Sequence, residues 1–160
     1  MSRRSKKYTP NTFIFGYGSL MNTASRKRTL KKHVPAYPTI INKKFGFSKR
    51  FNTIAATRHG GNEIVLGLEK NPHKTTTVKG GLFPGTKQQE NRINRRERVY
   101  KRISIPRKFI NTTIKIPYGS KVYTYKSRKP RHKFNKPRRI YKDYTNRIAA
   151  GTTQLFGKKK

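Results

Sequence analysis

Near its start the chain reads Phe13-Ile14-Phe15-Gly16-Tyr17-Gly18-Ser19-Leu20-Met21. The three apolar residues predict a short strand that breaks at Gly16-Tyr17-Gly18, and residues 22–32 can form a helix with Asn22 or Thr23 as its N-cap. A junction of strand, glycine and helix exposes backbone N–H groups beside the positive end of the helix, which suits a carboxylate or carbonyl oxygen. An ordinary turn is the alternative interpretation of Gly-x-Gly taken alone.

Several nucleotide-binding and catalytic motifs are excluded at this loop. Met21 occupies the position of the third glycine of a dinucleotide-binding fingerprint, and no Gly-Lys-Ser/Thr follows as in a P-loop. Ser19 lacks the Gly-x-Ser-x-Gly setting of a nucleophile elbow, so it is not proposed as a nucleophile.

The remaining pattern predicts about seven strands and three helices without the regular alternation of a doubly wound sheet. This favours an α+β fold with a curled or barrel-like mixed sheet and flanking helices. Thr86 is expected to cap the second helix, with Gln89 or Glu90 completing a capping box. Gly151 is expected to end the third. The predicted strands are 12–15, 39–51, 63–69, 76–83, 99–105, 112–116 and 121–126, and the predicted helices are 22–32, 86–97 and 136–151.

The chain has 160 residues, the size of one domain. We expect a basic flexible arm at 1–11, the folded domain at 12–151 and a lysine-rich tail at 152–160. There is no cysteine, the histidines show no metal-ligand spacing and acids are scarce, so no metal site is expected. Residues 13–15 are too short for a signal-peptide core and no apolar run approaches a membrane span, which favours an intracellular location, cytoplasmic or packaged in a particle.

Three blocks of sequence carry a family resemblance in the same order and spacing. The first is residues 13–21. The second is Gly80-Gly81-Leu82-Phe83, the helix that follows it, and Arg96 to Arg102. The third runs from Lys136-Pro137 through Tyr141 to Gly151. Together they resemble the γ-glutamylcyclotransferase-like superfamily, over residues 12–151.

The resemblance implies a small barrel-like sheet with flanking helices and a pocket for a γ-glutamyl group. In such enzymes the loop Gly16, Tyr17, Gly18, Ser19 and Leu20 would hold the glutamyl moiety. The glutamate that acts as acid and base would be Glu97, and Tyr141 would border the pocket. The implied reaction closes the γ-glutamyl group to 5-oxoproline and releases an amine or peptide, from glutathione, a γ-glutamyl amino acid or a γ-glutamylamine. This reaction requires neither a metal nor an organic cofactor.

Two features of the sequence near Glu97 are unfavourable for a catalytic base. Asn94 stands where the family commonly has an aspartate. Arginines on both sides of Glu97 in the sequence would lower its carboxyl pKa and make it a poorer base, unless their side chains point to solvent and are screened. The alternative interpretation of Glu97 is a surface glutamate at a helix end, paired with arginine.

The charge is extreme: 41 Lys and Arg against five acids give a formal +36. Such a chain attracts polyanions, with nucleic acid the commonest partner and an anionic membrane surface or acidic protein the next. The aromatic residues within 121–147 are expected to be core residues, which leaves phosphate contacts without sequence readout. The predicted polyanion-contacting residues, named here the basic segment, are Arg128, Lys129, Arg131, Lys133, Lys136, Arg138 and Arg139.

Two hypotheses of function follow from different classes. The first is an enzyme that cyclises a γ-glutamyl substrate. The second is a highly basic structural or nucleic-acid-associated protein, such as a component of a virion, a nucleoprotein particle or an organellar ribosome, that uses the same fold without catalysis. The two are compatible, because a packaged enzyme would satisfy both.

Overall fold

Eight strands form one mixed sheet, and three α-helices pack beside it. The computed structural model describes residues 11–55, 63–70, 76–131, 133 and 138–157. The strands are β1 (Thr12–Gly16), β2 (Tyr37–Ile41), β3 (Phe47–Ile54), β4 (Ile64–Lys70), β5 (Val78–Pro84), β6 (Tyr100–Ser104), β7 (Ile110–Thr112) and β8 (Lys121–Ser127), and the helices are α1 (Thr23–Leu30), α2 (Lys87–Arg96) and α3 (Lys142–Phe156). The predicted α+β class with a mixed sheet is confirmed.

The sheet branches at β8. Its main order is β3-β4-β8-β1-β5-β2-β7, and β6 pairs with β8 as well. β6 runs antiparallel along one edge of β8, so β1 and β4 share the other edge. β1 pairs with the first half of β8, and β4 meets it only at Leu68 and Lys126. The short pairing of β4 with β8 leaves a gap beyond the end of β1, where the candidate site lies.

The sheet is buried on both faces at β1. Ile14 packs into an apolar cluster that includes Leu30 of α1, Ile93 of α2 and Tyr144 of α3. Phe13 and Phe15 point into a second cluster with residues of β5 and β8. Because successive side chains of a strand point to opposite faces, the continuous apolar run of β1 is what a strand covered on both sides requires.

Two helix starts agree with the sequence. The Asn22 side chain accepts a hydrogen bond from Ser25 N at 3.0 Å and caps α1. Thr86 caps α2, and the Gln89 side chain accepts a hydrogen bond from Thr86 N, so the predicted capping box is present with Gln89 as its second member.

Two predicted strands were wrong in their bounds. Residues 39–51 do not form one strand, because a 3-10 turn at Lys43–Phe45 ends at Gly46 with φ 83° and separates β2 from β3. The strand predicted at 112–116 lies at Ile110–Thr112 instead. Ile114 and Ile116 pack against the second core cluster without pairing in the sheet, so their apolar character reflects burial rather than a strand.

The third helix also differs from the prediction. It begins at Lys142 rather than 136 and continues to Phe156, so the first five residues of the predicted tail are helical. Gly151 does not end the helix; it lies inside it, where the helix crosses the loop after β1. The arm predicted at 1–11 lies outside the described residues except for Asn11, as do 136–137 and 158–160. Among the described residues, no helix combines the length and apolarity needed to cross a membrane.

The close approach at Gly151 gives a test of this packing. A Cβ at residue 151 would lie 2.6 Å from Asn22 N and 2.7 Å from the Met21 carbonyl carbon, both backbone atoms that cannot rotate away. Gly151→Ala should therefore lower the free energy of unfolding by about 1–3 kcal/mol, although alanine favours a helix. Urea unfolding followed by circular dichroism measures the change.

The matched control is Ala150→Ser, because Ala150 is the exposed neighbour of Gly151 in the same helix. Its free energy of unfolding should change by about 0.5 kcal/mol or less. A Gly151→Ala variant as stable as the wild type would show that α3 does not pack on the loop in this way.

Candidate functional site

A cavity of about 310 Å³ opens in the gap between β4 and the end of β1. The loop after β1, helix α1, the end of α2 and the first turn of α3 surround it. Its lining residues are Phe15, Gly16, Tyr17, Ser19, Leu20, Ser25, Arg28, Thr29, Ala55, Val65, Leu66, Arg96, Glu97, Arg98, Val99, Tyr100, Tyr125, Tyr144 and Arg147.

The glycine loop turns into a 3-10 helix before α1 begins. Residues Gly18–Met21 form this short helix, and Gly18 has φ 67°, a conformation that glycine adopts without strain. Gly16 is equally constrained, because a Cβ there would lie 2.7 Å from the Leu20 Cβ. The loop is therefore an ordered part of the cavity wall, and the predicted direct junction with α1 is replaced by one 3-10 turn.

Arg26 holds this loop from the side of α1. Its buried guanidinium donates to the carbonyl oxygens of Val34, Leu20 and Met21 at 2.8, 3.0 and 3.2 Å. Burial lowers the pKa of Arg26 from its usual value. Three carbonyl acceptors compensate for the desolvation of the cation and fix the backbone at the end of the loop.

Arg96 joins the loop, α1 and the acidic residue of the cavity. Its Nη2 donates to Ser19 Oγ and its Nη1 to Thr29 Oγ1, each at 2.6 Å, and its Nε lies 3.4 Å from Glu97 Oε1. A rigid guanidinium fork that serves three partners positions all of them together. The sequence indicates Arg96 only as a charge near Glu97, because Ser19 and Thr29 are remote from it in the chain.

Glu97 lies at the C-terminal end of α2, where its own N–H still bonds to the Ile93 carbonyl at 2.8 Å. Its side chain is 13% exposed. Burial raises the pKa of the Glu97 carboxyl above its usual value, and the nearby Arg96 guanidinium only partly opposes this. Arg96 lowers this pKa as the sequence predicted, but the net shift is upward, because desolvation, which the sequence did not predict, outweighs the single close cation. Arg102 instead pairs with Glu90 at 3.0 Å, and Arg95 and Arg98 are exposed.

Tyrosine hydroxyls bond to the backbone of β4 where it faces the gap. Tyr100 donates to the Leu66 carbonyl at 2.6 Å, and Tyr144 accepts from Leu66 N at 2.9 Å. Tyr17 accepts from Leu68 N at 3.1 Å and donates to the Tyr125 carbonyl. These hydroxyls take the place of a strand partner at Leu66 and Leu68, so these backbone groups of β4 are bonded although a cavity lies beside the strand.

The four tyrosines near Glu97 are held in their neutral form. Burial raises the pKa of Tyr17, Tyr100, Tyr125 and Tyr144, and the Glu97 carboxylate raises each of them further. Their hydroxyls therefore remain protonated donors around the carboxylate. The Tyr125 hydroxyl donates to Asn94 Oδ1. Asn94 stands where the family commonly has an aspartate, and its amide oxygen accepts the hydrogen bond of this cavity tyrosine.

Five of the residues predicted for the site line the cavity, namely Gly16, Tyr17, Ser19, Leu20 and Glu97. Gly18 supports the wall from behind: a Cβ there would lie 3.3 Å from the Tyr144 hydroxyl.

Tyr141 does not line the cavity; Tyr144 does. Because α3 begins at Lys142, Tyr141 is its N-cap and lies beneath the Arg139 guanidinium, whereas Tyr144 in the first turn points inward and is 4% exposed. A correct start for this helix would have identified Tyr144 from the sequence.

The basic segment lies apart from the cavity, since none of its described residues lines the wall. Arg128, Lys129, Arg131, Lys133 and Arg139 are exposed, and Arg138 is half-buried. Lys136 lies outside the described residues. Tyr125 and Tyr144 are buried and Tyr123 is half-buried, as expected for aromatic residues that belong to the core, while Phe134 is not described.

Comparison with known proteins gives matches in structure only. No family model matches the sequence, and no curated protein sequence matches it either. A solved structure described as a gamma-glutamyl cyclotransferase is similar with a TM-score of 0.63 and 15% identity, over 89% of this chain and 78% of that one.

Two further structures show the same likeness. YkqA from Bacillus subtilis has a TM-score of 0.61 and 15% identity over 93% of this chain, which spans 50% of the length of YkqA. An uncharacterized protein from Homo sapiens has a TM-score of 0.58 and 18% identity, over 90% of this chain and 79% of that one. The chain therefore has the γ-glutamylcyclotransferase-like fold.

Proposed function

We propose that the protein cyclises a γ-glutamyl substrate to 5-oxoproline and releases the amine or peptide. The observation that carries the proposal is a cavity whose described lining contains one carboxylate, Glu97, and burial raises the pKa of this carboxyl above its usual value. The gamma-glutamyl cyclotransferase of similar fold supports it.

The reaction needs one base and a folded substrate. The substrate's α-amine attacks its own γ-carbonyl carbon, so a C–N bond forms and closes a five-membered ring, and the bond from that carbon to the leaving nitrogen breaks. The α-ammonium gives up two protons and keeps one as the N–H of the ring. Glu97 takes these protons in turn and passes them to the leaving nitrogen, which departs as an ammonium, so the protons balance. Because both reacting groups belong to one molecule, the main task of the cavity is to hold it bent.

The cavity wall also offers groups that can stabilise the developing oxyanion and hold the base in position. The neutral Tyr144 hydroxyl accepts from Leu66 N and so keeps its proton to donate, and together with loop N–H groups it can stabilise the oxyanion that develops on the γ-carbonyl oxygen. Arg96 keeps Glu97 and the Ser19 loop in one arrangement, so the base and the loop are positioned before the substrate arrives.

A second proposal concerns the basic segment, whose described cations apart from Arg138 are exposed and lie away from the cavity. We propose that it binds the phosphates of a nucleic acid without reading its sequence. A chain of +36 favours such binding, and the proposal does not require the loss of catalysis.

Glu97→Gln tests the base. Glutamine keeps the size of the side chain and removes its ability to take a proton, so release of 5-oxoproline from a panel of γ-glutamyl compounds should fall by about 10²- to 10⁴-fold. Chromatographic detection of 5-oxoproline gives the rate. The matched control is Glu90→Gln on the same helix, whose carboxylate pairs with Arg102 outside the cavity and whose removal should change the rate less than about twofold. Full activity in Glu97→Gln would remove Glu97 as the base.

The pKa of Glu97 can be measured without turnover. The chain has four glutamates, so a sample labelled with ¹³C at the glutamate carboxyls gives a simple NMR spectrum, and the signal that is missing from Glu97→Gln is that of Glu97. Its midpoint should lie above the 4.5 of a free glutamate side chain. The acid limb of kcat/KM should follow the same midpoint, since protonation below it removes the base. A midpoint at or below 4.5 would show that Arg96 outweighs burial.

The basic segment is tested by a salt series with fluorescent duplex DNA and RNA of arbitrary sequence. Changing Arg128, Lys129, Arg131 and Lys133 to Ser should weaken binding. On DNA, the plot of log K against log salt should flatten by about 0.9 for each phosphate that the variant no longer neutralises. Fluorescence anisotropy measures both the affinity and the slope.

The control removes equal charge elsewhere. Changing four exposed lysines, Lys32, Lys43, Lys44 and Lys115, to Ser should reduce the slope less than the change in the basic segment. An equal reduction in both variants would mean that overall charge, and not the basic segment, determines binding.

A further inference from the structure

The charged residues of the cavity are unevenly distributed. Among the described residues, four arginines line it, Arg28, Arg96, Arg98 and Arg147, against a single carboxylate, Glu97. All four cations of this described lining are arginine, although lysine outnumbers arginine in the chain by 24 to 17. A general excess of positive charge would have placed lysines here as well, so the arginines point to a requirement of the site.

Two of these arginines have partners in the protein. Arg96 is occupied by Ser19, Thr29 and Glu97. Arg147, on α3, lies 3.4 Å from Asp143.

Arg28 and Arg98 lie at the rim of the cavity. Arg28 comes from α1 and Arg98 from the turn after α2, and both line the cavity while remaining exposed to solvent. Within the described part of the chain neither is paired with an acidic side chain. Two exposed guanidinium groups from different elements thus border one cavity.

We propose that Arg28 and Arg98 bind the leaving part of the substrate. The preferred leaving amine then carries two carboxylates, as in a γ-glutamyl dicarboxylic amino acid or acidic peptide. This inference rests on the proposed function, because it places the γ-glutamyl group at Glu97 and the loop. The leaving part must then extend toward the rim, where the arginines are.

Arginine suits this ligand better than lysine does. Its planar guanidinium can donate two parallel hydrogen bonds to one carboxylate, whereas the lysine ammonium acts as a point charge. The same rim repels a second ammonium, so a γ-glutamyl group attached to a lysine side chain should be a poor substrate. The charge of the leaving part, rather than its shape, should therefore rank the substrates.

An isosteric series isolates charge from shape. γ-Glutamyl-glutamate, γ-glutamyl-glutamine and γ-glutamyl-glutaminamide have leaving parts of nearly one size that carry two, one and no carboxylates. Values of kcat/KM should fall by about fivefold at each step, the ratio expected for a solvent-exposed charge pair. The differences should shrink as salt is added, since mobile ions screen exposed charges. Equal kcat/KM for the three compounds would overturn the inference.

Substitutions at the rim test whether Arg28 and Arg98 cause the preference for carboxylates. Arg28→Gln combined with Arg98→Gln should reduce the ratio of kcat/KM for γ-glutamyl-glutamate to that for γ-glutamyl-glutaminamide, mainly through KM. The control is Arg107→Gln, an exposed arginine that does not line the cavity and should keep the full preference. An unchanged preference in the double variant would also contradict the inference.

Failure of the proposed function gives a different result. If no compound of the series yields 5-oxoproline, the cyclisation is wrong, and titration calorimetry with the same three intact compounds then tests the rim alone. Affinity that rises with the number of carboxylates and disappears in the double variant would support an anion-binding rim without catalysis. Affinity that does not depend on charge would also overturn the inference that the rim arginines bind carboxylates.

Discussion

The Arg96 guanidinium makes the hydrogen bonds on which the arrangement of the site depends. It donates to Ser19 in the loop and to Thr29 in α1, and it lies 3.4 Å from the Glu97 carboxylate next to it in the chain. Three segments that are distant in the sequence meet at this one side chain. Because the guanidinium is planar and permanently charged, it fixes the distances among its partners and at the same time limits how far burial can raise the pKa of Glu97.

The cavity itself follows from an incomplete sheet. β4 meets β8 at a single position, which would leave N–H and C=O groups of β4 without partners inside the protein. Hydroxyls of Tyr17, Tyr100 and Tyr144 take these positions. Bulky side chains that end in one polar atom satisfy the backbone and still leave a space between the strands. They also surround Glu97 with groups that stay neutral, so the carboxylate is desolvated without facing a second negative charge.

The residues that determine the fold of this protein are different from those that determine its surface charge. A fold shared at 15% identity depends on apolar strands, two tight glycines in the loop and the approach of α3 at Gly151, none of which restricts the exposed positions. Exposed positions could therefore accumulate lysine and arginine while the core stayed intact. The consequence is a protein that combines the γ-glutamylcyclotransferase-like fold with a large excess of positive charge.

Local features of this protein could be predicted from its residues alone. The strand and glycine loop at 13–18, the capping box of α2, the α+β class and, through the family resemblance, Glu97 were all predicted, because each depends on neighbouring residues. The extent of α3, the placement of Tyr144 in the cavity in place of Tyr141, and the net rise in the pKa of Glu97 were not. These depend on residues far apart in the chain: Gly151 against Met21, Tyr144 against Leu66, and the burial of Glu97 among tyrosines from β6, β8, α3 and the loop after β1. The tertiary structure sets them, because desolvation and packing depend on what surrounds a residue and not on what precedes it.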